Sequence, residues 1–127
     1  MTKRNKIIYW VATGILAFGM LGNATAQIAH AKGFVDIMEH LRYPVYFMTI
    51  IGIWKILGVF ALLIPKFPLL KEWAYAGFFF VMSGAAFSHI AMGDPMIEIA
   101  PSLMLLALII TSWYFRPSDR KIIAANQ

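Results

Sequence analysis

Four long apolar runs decide what this chain can become. They cover residues 7–28, 45–64, 73–92 and 99–115, each 17 to 22 residues long. A helix rises 1.5 Å per residue, so about 17–25 apolar residues carry it across a hydrocarbon core of about 30 Å. The runs are continuous rather than alternating, and four strands could not close a barrel in lipid, so strands are excluded. The connections, residues 29–44, 65–72 and 93–98, are short, and the last two suit turns between antiparallel neighbours. The expected fold is all-α: a single transmembrane domain over residues 1–127, forming an integral-membrane four-helix antiparallel bundle. Its helices are expected at about 7–28, 45–64, 73–92 and 99–115.

Punctuation and composition agree with this reading. Pro65 and Pro68 are expected to end the second helix, Gly93-Asp94-Pro95 the third and Pro117 the fourth. Pro101 is expected in the first turn of the last helix, where a missing N–H costs least. Trp10, Tyr43, Tyr46, Trp73, Trp113 and Tyr114 sit near run ends, at the depth where amphipathic rings settle; Trp54, in mid-run, departs from the pattern. The chain is 61% hydrophobic and 13% charged, against about 45–50% and 25% for a soluble domain. That balance excludes a disordered tail and an ordinary soluble enzyme. The absence of cysteine excludes disulfides, Cys-ligated zinc, Fe–S clusters and thiol redox chemistry.

Cations set the expected orientation. Lys3, Arg4, Lys6, Lys66, Lys71, Arg116, Arg120 and Lys121 fall on one side, Lys32 and Arg42 on the other, and Lys55 lies inside a run. The positive-inside rule then predicts a multi-pass protein of the cell (inner) membrane with both termini cytoplasmic. The net charge of +5 reads as this topology signal, and no basic stripe with interleaved aromatics suggests nucleic-acid binding. Lys3-Arg4-Asn5-Lys6, an apolar run and Ala24-Thr25-Ala26 also resemble a cleavable secretory signal. The run exceeds the usual 7–15 residues of such signals, so retention as the first helix is expected. The Asn23-Ala24-Thr25 sequon would lie in the membrane and is discounted.

Polar residues inside lipid carry the functional information. Lys55 lies at the middle of the second run, where insertion costs about 2.5–3.5 kcal/mol, so it should face the bundle interior and find a partner. Gly52 and Gly58 flank it at i−3 and i+3 and leave room for a neighbouring helix or a ligand. Asn23, Gln27 and His30 follow i, i+4, i+7 at the outer end of the first helix, and Ser88 and His89 lie in the outer third of the third. Asp94 follows, and Glu98 opens the fourth helix from the same side. Together these residues predict an outward-opening, polar-lined pocket floored by Lys55. Its candidate ligand-binding residues are Lys55, His89, Asp94, Asn23, Gln27 and Ser88; each has the plainer reading of wetting the headgroup layer.

Residues 34–42 predict a short interfacial helix. Phe34, Ile37, Met38 and Leu41 share one face while Asp36, Glu39 and His40 face away, a pattern suited to a lid over the bundle mouth. Asp36 and His40 at i, i+4 have the spacing of a shared metal site, but the pair is common by chance and no metal is expected. His30 and His89 as haem ligands are not expected either, since both sit at the membrane edge. Ala74, Gly77, Gly84, Ala85 and Ser88 form a small-residue stripe on the third helix, read as structural packing. The eight methionines read as filler, with Met48, Met82 and Met92 able to adapt around a lipophilic guest.

Several segments together resemble the DoxX-like family of small membrane proteins. They are Tyr43-Pro44, the stretch from Gly52 through Lys55 to Gly58, that from Glu72 to Gly77, that from Ser83 to His89, and Gly93-Asp94. The resemblance spans nearly the whole chain, from the first helix to Arg116. It implies a four-helix integral membrane protein and supports Lys55, Glu72, His89 and Asp94, without implying an activity. The family name comes from a small subunit of a thiosulfate:quinone oxidoreductase, and relatives look like parts of redox-stress complexes or assembly factors. Without cysteine, electron transfer here would need a bound quinone or a partner's cofactor.

Two functions are therefore carried forward. In one, a small lipophilic or quinone-like molecule binds between the helices, paired with or polarised by Lys55, while His89 or Asp94 moves a proton. In the other, the chain is an accessory subunit or assembly factor of a larger membrane complex, docking a membrane-protein partner or a second copy through its small-residue faces. Transport is less favoured, because four helices are few for alternating access and no inverted repeat is visible.

Overall fold

The computed structural model describes residues 2–117. Among them the chain forms five helices and no strand: α1 (Lys3–Ile28), α2 (Lys32–Leu41), α3 (Tyr46–Leu63), α4 (Pro68–Ala91) and α5 (Met96–Tyr114). Four of these, α1, α3, α4 and α5, are long and apolar enough to cross a membrane. They close a ring in the order α1–α3–α4–α5, each packed on the next and α5 back on α1. The chain is an all-α membrane bundle.

Helix bounds differ from those expected, and each difference has a local cause. The Oγ1 of Thr2 accepts from the Asn5 amide at 3.1 Å, capping α1 ahead of its basic first turn. Pro68 does not end α3 but starts α4 at its first turn, where its missing amide costs little. The α3–α4 connection shrinks to four residues. Within it Lys66 and Phe67 both take left-handed backbone conformations, with φ of 68° and 56°. Such conformations cost on the order of 1–2 kcal/mol per non-glycine residue, so the turn needs outside support. At the other end α5 begins at Met96, which leaves Pro101 inside the helix rather than in its first turn. There it removes the amide that would bond the Ile97 carbonyl. Hydropathy marks the lipid-buried stretch of a helix; it does not register the polar turns that extend beyond.

Packing is uneven along the bundle. Leu16, Met20, Val59, Leu62, Tyr75, Phe78, Met82 and Ile109 form one buried core. These residues lie in the half of the bundle toward the chain termini. Close approach depends on glycine on either side of Lys55: a Cβ on Gly52 would come within 2.7 Å of Ile28, and one on Gly58 within 2.7 Å of the Phe78 ring. The space beside Lys55 thus admits α1 and α4 at these two points. Outward-facing residues are large and apolar, with Phe18 82% and Ile97 78% exposed, as a lipid-facing surface requires. The expected belt aromatics, Trp10, Tyr43, Tyr46, Trp73, Trp113 and Tyr114, are all exposed.

Two buried polar groups in the terminal half were not foreseen. Thr13, Tyr75 and Ser112 meet across α1, α4 and α5, with Ser112 Oγ 2.6 Å from Thr13 Oγ1 and 2.7 Å from the Tyr75 hydroxyl. Other hydroxyls in the spans, such as Thr25 and Thr111, bond back to their own helix instead. Lys71, counted above with the cations that set orientation, is only 1% exposed. Its Nζ donates to the carbonyls of Ala61, at 2.8 Å, and Ile64. A cation on the last carbonyls of α3 satisfies groups the helix cannot bond itself and braces the strained turn. Nearby, Glu72 accepts from Trp113 Nε1 at 3.0 Å and pairs with Arg116 at 2.8 Å. Arg116 also stacks 4.5 Å above the Trp113 ring. Arg120 and Lys121, counted above with the cations of this end, lie outside the described residues.

Candidate functional site

The half of the bundle toward α2 is hollow. A cavity of about 580 Å³ opens between the four spanning helices beneath α2. From α1 it takes Asn23 and Gln27, from α3 Ile51, Trp54 and Lys55, from α4 Phe80, Gly84, Ser88 and His89, and from α5 Glu98, Pro101 and Ser102. Its roof is the apolar face of α2, namely Phe34, Ile37, Met38 and Leu41, with Tyr43 beyond. That is the face expected from their helical spacing, although α2 begins at Lys32 and ends at Leu41 rather than running 34–42.

Lys55 sits on the inner wall at mid-helix, 4% exposed. Its Nζ donates to Gln27 Oε1 at 3.0 Å. The ion pairs among the described residues join His40 and His89 to Asp94 and Arg116 to Glu72; none involves Lys55. An ammonium carries three donors, and the hydrogen bond found among the described residues engages one of them with a neutral amide, leaving the charge and two N–H groups for the cavity side. Lysines buried this deeply are ordinarily paired with an opposite charge.

Asp94 does not line the cavity; it stands behind His89 and fixes it. The left-handed Gly93, φ 73°, reverses the chain after α4, so the Asp94 amide bonds the His89 carbonyl at 3.0 Å. The Asp94 carboxylate then accepts from His89 Nδ1 at 2.6 Å and from His40 Nε2 at 2.7 Å. A carboxylate at Nδ1 places the ring proton there and leaves Nε2 as the nitrogen available to a ligand. These two hydrogen bonds, His89 first and His40 second, hold the Asp94 carboxyl below its ordinary value of 3.8.

The His40 contact ties α2 to the α4–α5 turn. His40 thus bonds Asp94, across the bundle mouth from the i, i+4 residue Asp36. A second tie lies close by: Ser88 Oγ donates to the Gly84 carbonyl at 2.8 Å and so receives the Tyr43 hydroxyl at 2.7 Å. Otherwise α2 makes little contact with the bundle and buries no residue fully. It is a roof fastened at two points.

Five of the six residues singled out from the sequence thus surround one space: Asn23, Gln27, Lys55, Ser88 and His89. Asp94 acts on that space through His89. His30 leaves the group, because it sits beyond the end of α1 and bonds Thr49 at 3.0 Å. The small-residue stripe is corrected as well. A Cβ on Gly77 or Gly84 would meet nothing within 4 Å, and Gly84, Ala85 and Ser88 line the cavity, so these members of the stripe make room, while Ala74 packs against the core. Sequence reasoning missed Tyr43, Phe47, Ser102 and Trp54 as lining residues. For Trp54 the signal was present, since its mid-span position already broke the aromatic belt.

No curated protein and no solved structure matches the chain. The model of the DoxX-like family matches residues 11–112, most of every spanning helix together with α2 and the turn bearing Asp94. The chain is an integral membrane protein of the DoxX-like family.

Proposed function

We propose that this protein binds a small lipophilic or quinone-like molecule in the cavity under α2, with Lys55 on its inner wall as the principal polar contact. The observation that carries this reading is the state of Lys55. A cation in the middle of a spanning helix, with one neutral amide as its hydrogen-bond partner among the described residues, borders a space large enough for a small molecule. His89 Nε2, Asn23 and Ser102 add convergent polar groups to walls that are otherwise apolar. A ligand carbonyl or anion reaching the ammonium would receive the unused donors, and His89, held by Asp94, would exchange a proton with it. Orientation belongs to the same proposal. Among the described residues, six cations (Lys3, Arg4, Lys6, Lys66, the buried Lys71 and Arg116) lie at the end where α1 begins and α5 ends, and two (Lys32, Arg42) at the α2 end. This favours cytoplasmic termini and a cavity roofed on the outer side of the cell membrane.

The test is ligand retention. Protein purified in mild detergent should carry a small molecule detectable by mass spectrometry of the organic extract, and Lys55→Met should lose it. Unchanged retention in a folded Lys55→Met protein would sink the proposal. The second reading, an accessory subunit docking a larger complex, has less to stand on. The small residues that motivated it face the cavity and the adjoining groove rather than forming a tightly packed interhelical surface.

A further inference from the structure

The cavity has a neighbour that bears on the class of ligand. A groove of about 510 Å³ lies along the α3–α4 seam, from Leu57 and Ala61 on one side to Leu70 and Trp73 on the other. This seam is the least extensive of the four helix contacts in the ring. Groove and cavity share Ile51, Trp54, Lys55 and Val81, so Lys55 borders both spaces. Apart from Lys55 the groove lining carries no charged residue. Gly77, in its wall, has open space beside it.

We infer that the ligand is a single-chain amphiphile with a monoanionic carboxylate head. The head lies against Lys55 and Gln27, and its hydrocarbon chain runs in the α3–α4 groove, entering sideways from the bilayer. This inference rests on the ligand-binding reading above and narrows it. Charge complementarity supplies the head. One buried ammonium without a carboxylate partner among the described residues is matched by one negative charge, and the Lys55 donors left over by Gln27 fit the two oxygens of a carboxylate.

The route follows from the charges at the two openings. Glu98 lines the cavity, and the α2 end carries Asp36, Glu39, Asp94 and Glu98 against Lys32 and Arg42. That field opposes an anion arriving from water. The seam presents none of these charges, and a chain leaving the bilayer for the groove stays in apolar surroundings throughout.

The experiment uses the wild-type chain in phosphatidylcholine nanodiscs with a long-chain fatty acid carrying a terminal diazirine. After photolysis, labelled residues are mapped by mass spectrometry, with unlabelled stearate or its methyl ester as competitor. The inference expects labels on recessed groove residues such as Ala61 and Phe78, and competition by stearate at least tenfold better than by the ester. Lys55→Met should abolish that preference, Lys55→Arg should keep it, and Gly77→Leu should remove the groove labels. Equal competition by acid and ester, with Lys55→Met weakening both, would overturn the anionic head and leave the cavity reading standing. Labels confined to cavity-roof residues such as Met38 would overturn the tail route alone. Labels only on lipid-facing residues such as Phe18 and Ile97, indifferent to either competitor, overturn this inference. If such a protein also retains no other extractable molecule, the cavity reading falls with it. Should Lys55→Met fail to fold, the acid–ester comparison and the label map on the wild-type chain still decide.

Discussion

At the scale of single residues, two lysines buried in the same bundle have different surroundings. Lys71 points at the end of α3, where the helix leaves carbonyls without internal partners. Replacing it with methionine keeps the apolar stem and removes the charged donor. The expected loss is about 1.5–3 kcal/mol, the range for hydrogen bonds to charged groups. It should appear as a lower thermal midpoint in detergent, with little change in ligand retention. Lys55 should behave in the opposite sense: Lys55→Met removes an expensive buried charge, so stability holds or rises while retention falls. Measuring both variants by both readouts separates brace from site. Gly58→Ala is a third case. Its Cβ would overlap the buried Phe78 ring at 2.7 Å, and overpacking of this kind costs about 1–3 kcal/mol, again read as a lower midpoint.

At the scale of elements, α2 is the piece whose position is least secured. It was legible in the sequence as an amphipathic helix, because Phe34, Ile37, Met38 and Leu41 repeat at helical spacing beside polar residues. What holds it was not legible, since His40 and Asp94 are 54 residues apart and Tyr43 and Ser88 are 45 apart. A depressed carboxyl such as Asp94 contributes stability that is present above its unfolded value and lost as pH falls through the folded one. The His40 tie should therefore persist at neutral pH and weaken below about pH 4. Because the chain has no cysteine, spin labels at Glu39→Cys and Ile97→Cys report on α2 alone. Their distance distribution should be narrow at neutral pH and broaden in acid. His40→Ala should broaden it at neutral pH with little change in the thermal midpoint; a distribution unmoved by either change would mean that the Tyr43–Ser88 contact or the apolar face of α2, not His40, holds it.

At the scale of the whole molecule, the bundle is packed at the end bearing the termini and hollow toward α2, and Lys55 marks the boundary. The class of molecule and its four spans followed from the sequence alone. Membrane insertion answers to apolar length along one dimension, and Lys55 stood out because a charge among apolar neighbours is visible without any neighbour in space. The facing sides of the helices were much less legible. In water an amphipathic stripe reveals the buried side, but in lipid these helices are apolar all round, so only a few polar residues betray rotational phase. Hence Asn23, Gln27, Ser88 and His89 could be grouped from the sequence and line one cavity, whereas Lys71 was read as a loop cation and the Thr13–Tyr75–Ser112 contact was unseen. The Gln27 partner of Lys55, the position of Asp94 behind His89 and the placing of Lys55 between cavity and groove were decided only by tertiary structure. Each depends on distances across three or four helices, and the apolar pattern along the chain carries no information about them.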